Sequence, residues 1–267
     1  MPRIAALLAA LAASLISASA FAQAQTQDKP FEPQVGQPGK DVVWVPTPQA
    51  LVDKMLEMAK LTPKDFLIDL GSGDGRTVIT AAKRGSVAHG IEYNPDMVEL
   101  SKRNAQKEGV SSRATFAKAD IFESDFSKAQ VITLFLLPSL NVKLRPTLLN
   151  MKPGTRIVSN SFDMEDWKPD QTATVQGCTS WCTALLWIVP AKVEGTWKLP
   201  KGDLTLTQNY QMLSGTLRSG NTATLVSGRM NGDEISFTAG NVQYNARVSG
   251  NMIDGSSKPG GAFKATR

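Results

Sequence analysis
The sequence predicts an α/β fold, a mainly parallel sheet with helices on both faces, followed by a small all-β unit. Three observations carry that prediction. Apolar strand-like runs alternate with helical stretches between residues 48 and 160, the pattern of a sheet built from strand–helix–strand crossovers. One strand-like run passes through a Gly-rich turn straight into a helix, which is how open α/β sheets form ligand sites at strand ends. Beyond residue 190 the pattern changes to short runs punctuated by Gly and Asn-Gly, as in a small antiparallel barrel or sandwich. With 267 residues, 42% hydrophobic and 20% charged, the chain has material for two folded units and is not composed like a disordered protein.

The chain begins with Arg3, an Ala/Leu-rich stretch over 4–16 and the small-residue site Ala20-Phe21-Ala22. This is the three-part layout of a secretory signal, with cleavage expected after Ala22 and an exported, periplasmic or secreted, mature protein without a membrane span. The alternative is a membrane tether, because the 19 residues from 4 to 22 nearly suffice to span a bilayer if left uncleaved. Residues 23–40, rich in Gln, Pro and Gly, read as a flexible linker.

The elements then follow in order. Helices are expected at 48–60, 76–84, 95–108 and 139–150, and strands at 66–70, 87–91, 114–119, 131–137 and 155–160. Runs at 172–176 and 182–189 form a hairpin whose tip holds Gly177-Cys-Thr-Ser-Trp-Cys182. After export a disulfide between Cys178 and Cys182 is feasible, with two free thiols as the alternative. No metal site is expected, since the chain has two cysteines and a single histidine, His89, which reads as a packing or surface residue. In the last part, runs at 203–208, 211–217, 222–230, 234–239 and 242–249 are separated by turns, with glycines at Ser214-Gly215 and Gly228 to Gly232 taken as hairpin positions.

The net charge is +5, but Lys and Arg are scattered. A solvated surface is therefore expected, and no nucleic-acid partner.

The chemistry concentrates in Phe66-Leu-Ile-Asp-Leu-Gly-Ser-Gly-Asp-Gly-Arg76. Glycines at 71, 73 and 75 let the backbone turn sharply and approach a ligand, and the following helix aims unpaired N–H groups at the same place. Dinucleotide sites share such turns, with G-x-G-x-x-G spacing around a pyrophosphate. Here the spacing is G-x-G-x-G and Asp69 and Asp74 flank it, so an anion is repelled and a cation suits, such as the amino group and sulfonium of S-adenosylmethionine (SAM). Glu92 closes the next strand-like run, where a carboxylate accepts ribose hydroxyls. Asp120, in Ala117-Lys-Ala-Asp-Ile-Phe122, closes the third. Each acid alone is an ordinary cap or turn residue; three at successive strand ends make a nucleoside site.

With these residues the chain resembles the class I SAM-dependent methyltransferases, and among them the non-SET lysine methyltransferases of the disruptor-of-silencing type and the mitochondrial ATP synthase c-subunit type. The resemblance extends to Val45-Pro-Thr-Pro-Gln-Ala-Leu-Val-Asp-Lys-Met-Leu56, to Leu134-Phe-Leu-Leu-Pro-Ser-Leu140 and to Leu149-Asn-Met-Lys-Pro-Gly-Thr-Arg-Ile-Val-Ser-Asn160. It covers residues 41–190, leaving 191–267 as the separate β domain. The resemblance implies a Rossmann-like sheet and SAM as cofactor. Asp69, Gly71, Ser72, Gly73, Asp74 and Gly75 would shape its methionine end, Glu92 would hold the ribose, Asp120 with Ile121 the adenine, and Thr47 would approach from the lead-in. Histone-directed members carry Asn-Asn-Phe where this chain has Thr133-Leu134-Phe135, so the resemblance is better to the mitochondrial branch.

The implied reaction is methyl transfer to a nucleophilic acceptor, foremost a protein lysine amine. It is an in-line displacement that needs alignment and exclusion of water but no covalent nucleophile. Phe135, Pro138 and Ser139 are the channel candidates, with plain strand-to-helix packing as the alternative; no general base is assigned. A small-molecule acceptor is one alternative. A non-catalytic SAM or nucleoside-binding module is another, because SAM is made in the cytoplasm while the chain reads as exported.

Overall fold
The strands predicted from the alternating pattern pair into one open sheet, and the short runs after it close into a barrel. The computed structural model describes residues 31–267. The signal segment at 1–22 and the linker positions 23–30 lie outside the described residues. Residues 33–267 make up one compact unit.

The open sheet has seven strands in the order β3-β2-β1-β4-β5-β7-β6. Its members are β1 (Phe66–Leu70), β2 (Val87–Glu92), β3 (Ala114–Lys118), β4 (Val131–Leu134), β5 (Arg156–Asn160), β6 (Gln171–Thr174) and β7 (Thr183–Ile188). The first five are parallel, while β7 runs antiparallel to β5 and to β6. The order reverses between β1 and β4, which opens a crevice beyond their carboxyl ends, the place where such sheets bind ligands.

Helices α1 (Gln49–Met58), α2 (Arg76–Lys83), α3 (Pro95–Lys107) and α4 (Pro138–Leu149) cover the two faces. Alternation along β1 sends Leu67 into a core with Leu51, Leu56, Val78 and Val98 of the first three helices. Ile68 and Leu70 face the other way, into a core with Leu144 and Leu148 of α4 and the buried Trp167 and Trp187. Asn94 caps α3 through its side chain, accepting from the Asp96 N–H at 2.9 Å, and Pro95 follows at the first helical position.

Two sequence readings shift here. Strand β4 ends at Leu134, three residues early, because pairing with β1 and β5 stops at Leu70 and Ser159; Phe135 to Leu137 turn away and Pro138 opens α4. The flexible linker expected up to Lys40 is also corrected. From Gly36 the chain is tied down by an antiparallel bridge between Pro38 and Val43 and by backbone bonds joining Gly36 N–H to Trp44 O and Trp44 N–H to Gln37 O. A Gln/Pro/Gly composition reports low propensity, not the tertiary contacts that override it.

Strands β8 (Gly195–Leu199), β9 (Gly202–Asn209), β10 (Met212–Ser219), β11 (Thr222–Asn231), β12 (Glu234–Ala239), β13 (Val242–Ser249), β14 (Met252–Lys258) and β15 (Gly261–Thr266) form a closed antiparallel barrel. Trp197, Leu204, Leu206, Met230, Ile235, Phe237 and Ile253 fill it. Gly215 and Gly228 sit inside β10 and β11, not in turns. A Cβ there would stand 2.0 Å from Thr205 O and 2.3 Å from Ser236 O respectively, so both mark tight coiling of the wall. The barrel rests on the segment before β6. Tyr210 stacks on Trp167 with ring centroids 5.9 Å apart and donates to Asp166, Gln211 donates to Lys168 O, and Arg229 pairs with Asp170 at 2.6 Å.

Candidate functional site
A cavity of about 610 Å³ opens at the carboxyl ends of the strands, between the Gly-rich turn and the lead-in. That volume suits a nucleoside-sized ligand, since ligand pockets run to roughly 300–1,000 Å³. Thr47, Asp69, Gly71, Ser72, Gly73, Asp74, Glu92, Asp120, Ile121 and Phe135, all named from sequence, line it.

The turn is built as its composition requires. Gly71, Gly73 and Gly75 have φ of 82°, 54° and 82°, left-handed values that favour glycine. Gly71 and Ser72 donate their N–H groups to Ile91 O at 2.9 and 3.0 Å, stitching the turn to β2. At Gly73 a Cβ would come within 2.8 Å of the Trp44 indole nitrogen. Gly75 does not line the cavity; it lets α2 pack against Phe116 and Ser101, which a Cβ would meet at 2.8 and 2.9 Å.

Asp69, one residue before the end of β1, is buried, and its Oδ1 accepts from the Thr133 hydroxyl at 2.6 Å. Burial pushes its carboxyl up to about 7; the Thr133 hydrogen bond opposes this, and the charges of Glu92 and Asp74 add to it. Ser72 is buried against the same space, and its hydroxyl finds no hydrogen-bond partner among the described residues. Glu92 accepts from Gly73 N–H at 3.0 Å with one oxygen and from Asn94 N–H at 2.9 Å with the other. Each oxygen keeps a lone pair for a hydroxyl.

Asp74 differs from the expectation of a free charge beside a cation. Its carboxylate is clasped by Arg76, with Nε 3.0 Å from Oδ1, while Arg76 Nη1 donates to Thr47 O at 2.9 Å. Asp74 thus ties the turn to the lead-in. Asp120 accepts from Phe122 N–H at 2.9 Å and pairs with Lys40 of the lead-in. The Lys40 hydrogen bond, then that of Phe122, holds its carboxyl below the usual range. Lys40 also lies 4.7 Å from the Tyr93 ring centroid.

Part of the cavity wall is aromatic. Phe135, Phe162 and Trp181 meet with centroids 5.0 to 6.0 Å apart. Phe135 was expected there, whereas Pro138 and Ser139 are not in the wall; they begin α4, and Leu136, Leu137 and Leu140 take the adjacent positions. Phe162 and Trp181 escape a sequence reading because they come from the ends of β5 and β7. The one signal that could have drawn attention to Trp181 is its place beside Cys182: Cys178 and Cys182 are joined in a disulfide, Cα atoms 5.7 Å apart. His89 lies away from the cavity, its Nδ1 2.8 Å from the Thr115 hydroxyl, and burial lowers its pKa.

Comparison with known proteins agrees on the open sheet. The family model described as the ANTKMT methyltransferase domain matches residues 69–171. A protein-lysine N-methyltransferase of Saccharolobus islandicus is 42% identical over 151 residues, 55% of this chain and 94% of that protein. The human lysine N-methyltransferase named for the ATP synthase c-subunit is 33% identical over 128 residues, 48% of this chain; this chain spans about half (54%) of that relative's length. The crystal structure of an RNA methyltransferase from Salinibacter ruber in complex with S-adenosyl-L-homocysteine (SAH) superposes with a TM-score of 0.53 and 46% identity, covering 56% of this chain and 96% of that one. The family match ends before β7 and the barrel.

Proposed function
This chain belongs to the family of SAM-dependent methyltransferases that holds the protein-lysine N-methyltransferases, and from that premise we propose that it transfers the methyl group of SAM to a lysine side chain of a protein. The observation that carries the reading is one cavity whose wall holds the carboxylates Asp69, Glu92 and Asp120, a glycine turn and three packed aromatic rings. The residues fit the cofactor. A carboxyl held near 7 at Asp69 is a group waiting for a positive partner, and the unpartnered Ser72 hydroxyl sits beside it in the wall.

When bound, SAM supplies a methyl group on a sulfonium, a carbon open to in-line displacement. Asp69 would face the amino group of its methionine part, Glu92 the ribose hydroxyls and Asp120 the adenine amino group, for which the Lys40 pairing must be shared or released. Phe135, Phe162 and Trp181 keep water from the acceptor side. A lysine ammonium entering that ring-lined mouth would give its proton to solvent, which desolvation favours, and the neutral amine would take the methyl group as SAH leaves. Alignment and dryness are the chain's contribution, and no covalent nucleophile is needed.

The lysine reading rests on the relatives' names and on the aromatic mouth. Its test is to incubate the protein with methyl-labelled SAM and total protein or total RNA from the source cell. Methyl-lysine in the protein hydrolysate is the expected result. Label confined to RNA, or SAM turnover without labelled polymer, would replace the lysine acceptor with another one. Failure to bind SAM would remove the methyltransferase reading altogether. Export by residues 1–22 is part of the proposal, and the disulfide accords with an oxidising compartment; sequencing the mature amino terminus from a periplasmic or secreted fraction tests it.

A further inference from the structure
The loop joining β6 to β7, residues 175–182, carries both cysteines of the chain and delivers one indole to the cavity. The disulfide closes residues 178–182 into a small ring, and Trp181 stands immediately before its second cysteine. Trp181 has φ of 55°, a left-handed value that non-glycine residues disfavour. The residue is 43% exposed, yet its ring packs at 5.0 Å on Phe162 and 5.9 Å on Phe135. A large indole held half in solvent, in an unfavourable backbone conformation, needs a constraint, and the ring closure is the constraint at hand.

The three rings have faces to offer. Among the described residues the cation–π contacts involve Tyr93, Phe122, Tyr210 and Trp197, and no described lysine or arginine sits over Phe135, Phe162 or Trp181. Aromatic faces attract ammonium groups, tryptophan most of all.

We propose that Trp181 is an acceptor-positioning residue: carried on the disulfide-closed loop, it completes with Phe135 and Phe162 a three-ring mouth for a primary alkylammonium side chain, and the Cys178–Cys182 bond holds it there. This rests on the methyltransferase reading. The residues proposed to hold the cofactor come from the ends of β1, β2 and β3 and from the lead-in, and of the loop only Trp181 lines the cavity. Disrupting the loop therefore alters acceptor capture and leaves cofactor binding in place.

The test titrates the SAH-saturated full chain with Nα-acetyl-lysine methylamide and with its neutral isostere, in which a methyl group replaces the ammonium. From the usual strength of cation–π contacts the cation should bind about 3- to 30-fold tighter than the isostere. Trp181→Ala should abolish that preference, and Trp181→Phe, which keeps a ring, should restore most of it. The Cys178→Ser/Cys182→Ser double variant should lose the preference although Trp181 is present, with SAH affinity retained in all three. Equal preference in Trp181→Ala and the intact protein would overturn the proposal, as would SAH binding by the intact protein with no preference for the cation. Full preference in the double serine variant would overturn the part played by the disulfide. If the intact protein fails to bind SAH, the methyltransferase reading falls first and this inference falls with it.

Discussion

Lowering the pH from about 7.5 to about 5.5 is expected to weaken SAM binding about 25-fold, through one residue. Asp69 is only 6% exposed, and burial raises its carboxyl from 3.8 to about 7 against the pull of the Thr133 hydroxyl, with Glu92 and Asp74 adding repulsion. At about 1.4 kcal/mol per pH unit, that rise means roughly 4 kcal/mol of resistance to ionising Asp69 in the empty protein. On the proposed reading, the form of Asp69 that receives the ligand's amino group is the carboxylate. With a pKa of about 7 it makes up about 3% of the protein at pH 5.5 and about three quarters at pH 7.5, and apparent affinity scales with the competent fraction. The ligand's own α-amino group, with an ordinary value of about 7.7–8.0, stays largely protonated across this window. Calorimetric titration in two buffers of different ionisation enthalpy reads both affinity and protons. About one proton per SAM should be released near pH 5.5 and far fewer above pH 7.5, and Asp69→Asn should bind weakly with no pH dependence. An affinity flat to within about twofold, with no proton released, would refute the reasoning.

The same carboxyl links stability to pH. Because its folded pKa lies above the unfolded one, its stabilising contribution is complete below 3.8 and drains away as pH rises toward 7. Against Asp69→Asn, the empty wild-type protein should lose roughly 2 kcal/mol between pH 5 and 7 in denaturant melts; the opposite-sign contribution of His89, whose pKa is lowered by burial, cancels in that difference. Glu92→Ala strips the acceptor from the N–H groups of Gly73 and Asn94. It should destabilise the empty fold by about 1–3 kcal/mol and abolish SAM binding, with Glu92→Gln intermediate in both calorimetry and thermal melts. Gly75→Ala combines φ of 82° with contacts of 2.8 Å to Phe116 and 2.9 Å to Ser101, for an expected loss of about 2–5 kcal/mol. Gly109→Ala, at φ of 70° with nothing within 4 Å, should lose only about 1–2 kcal/mol in the same melt.

Local signals carried much of the open sheet and of the strand-end wall of the cavity. Strand, glycine turn and helix at 66–83 are visible because each period and each φ > 0 position is specified by adjacent residues. Glu92 and Asp120 are legible because a carboxylate at a strand end needs only the strand to place it. Strands β14 and β15 went unread, since Asp254-Gly-Ser-Ser-Lys258 and the stretch from Gly261 have little β propensity and become strands only when β13 and β8 offer them hydrogen bonds. The barrel was one of two architectures open to the short runs; its closure is a property of the whole circuit of strands.

By itself, then, the sequence determined the class of fold, the acidic glycine turn and hence the kind of cofactor the pocket accepts, all of which depend on interactions among near neighbours in the chain. Only the tertiary structure decided that Arg76 reaches Thr47 O across 29 residues, that Lys40 of the supposed linker reaches Asp120 across 80 residues, and that Phe162 and Trp181 join Phe135. The physical reason is range. A propensity or a turn is settled within a few residues, whereas an ion pair or an aromatic mouth exists only after distant strands have been paired, and no local pattern encodes which distant partner arrives.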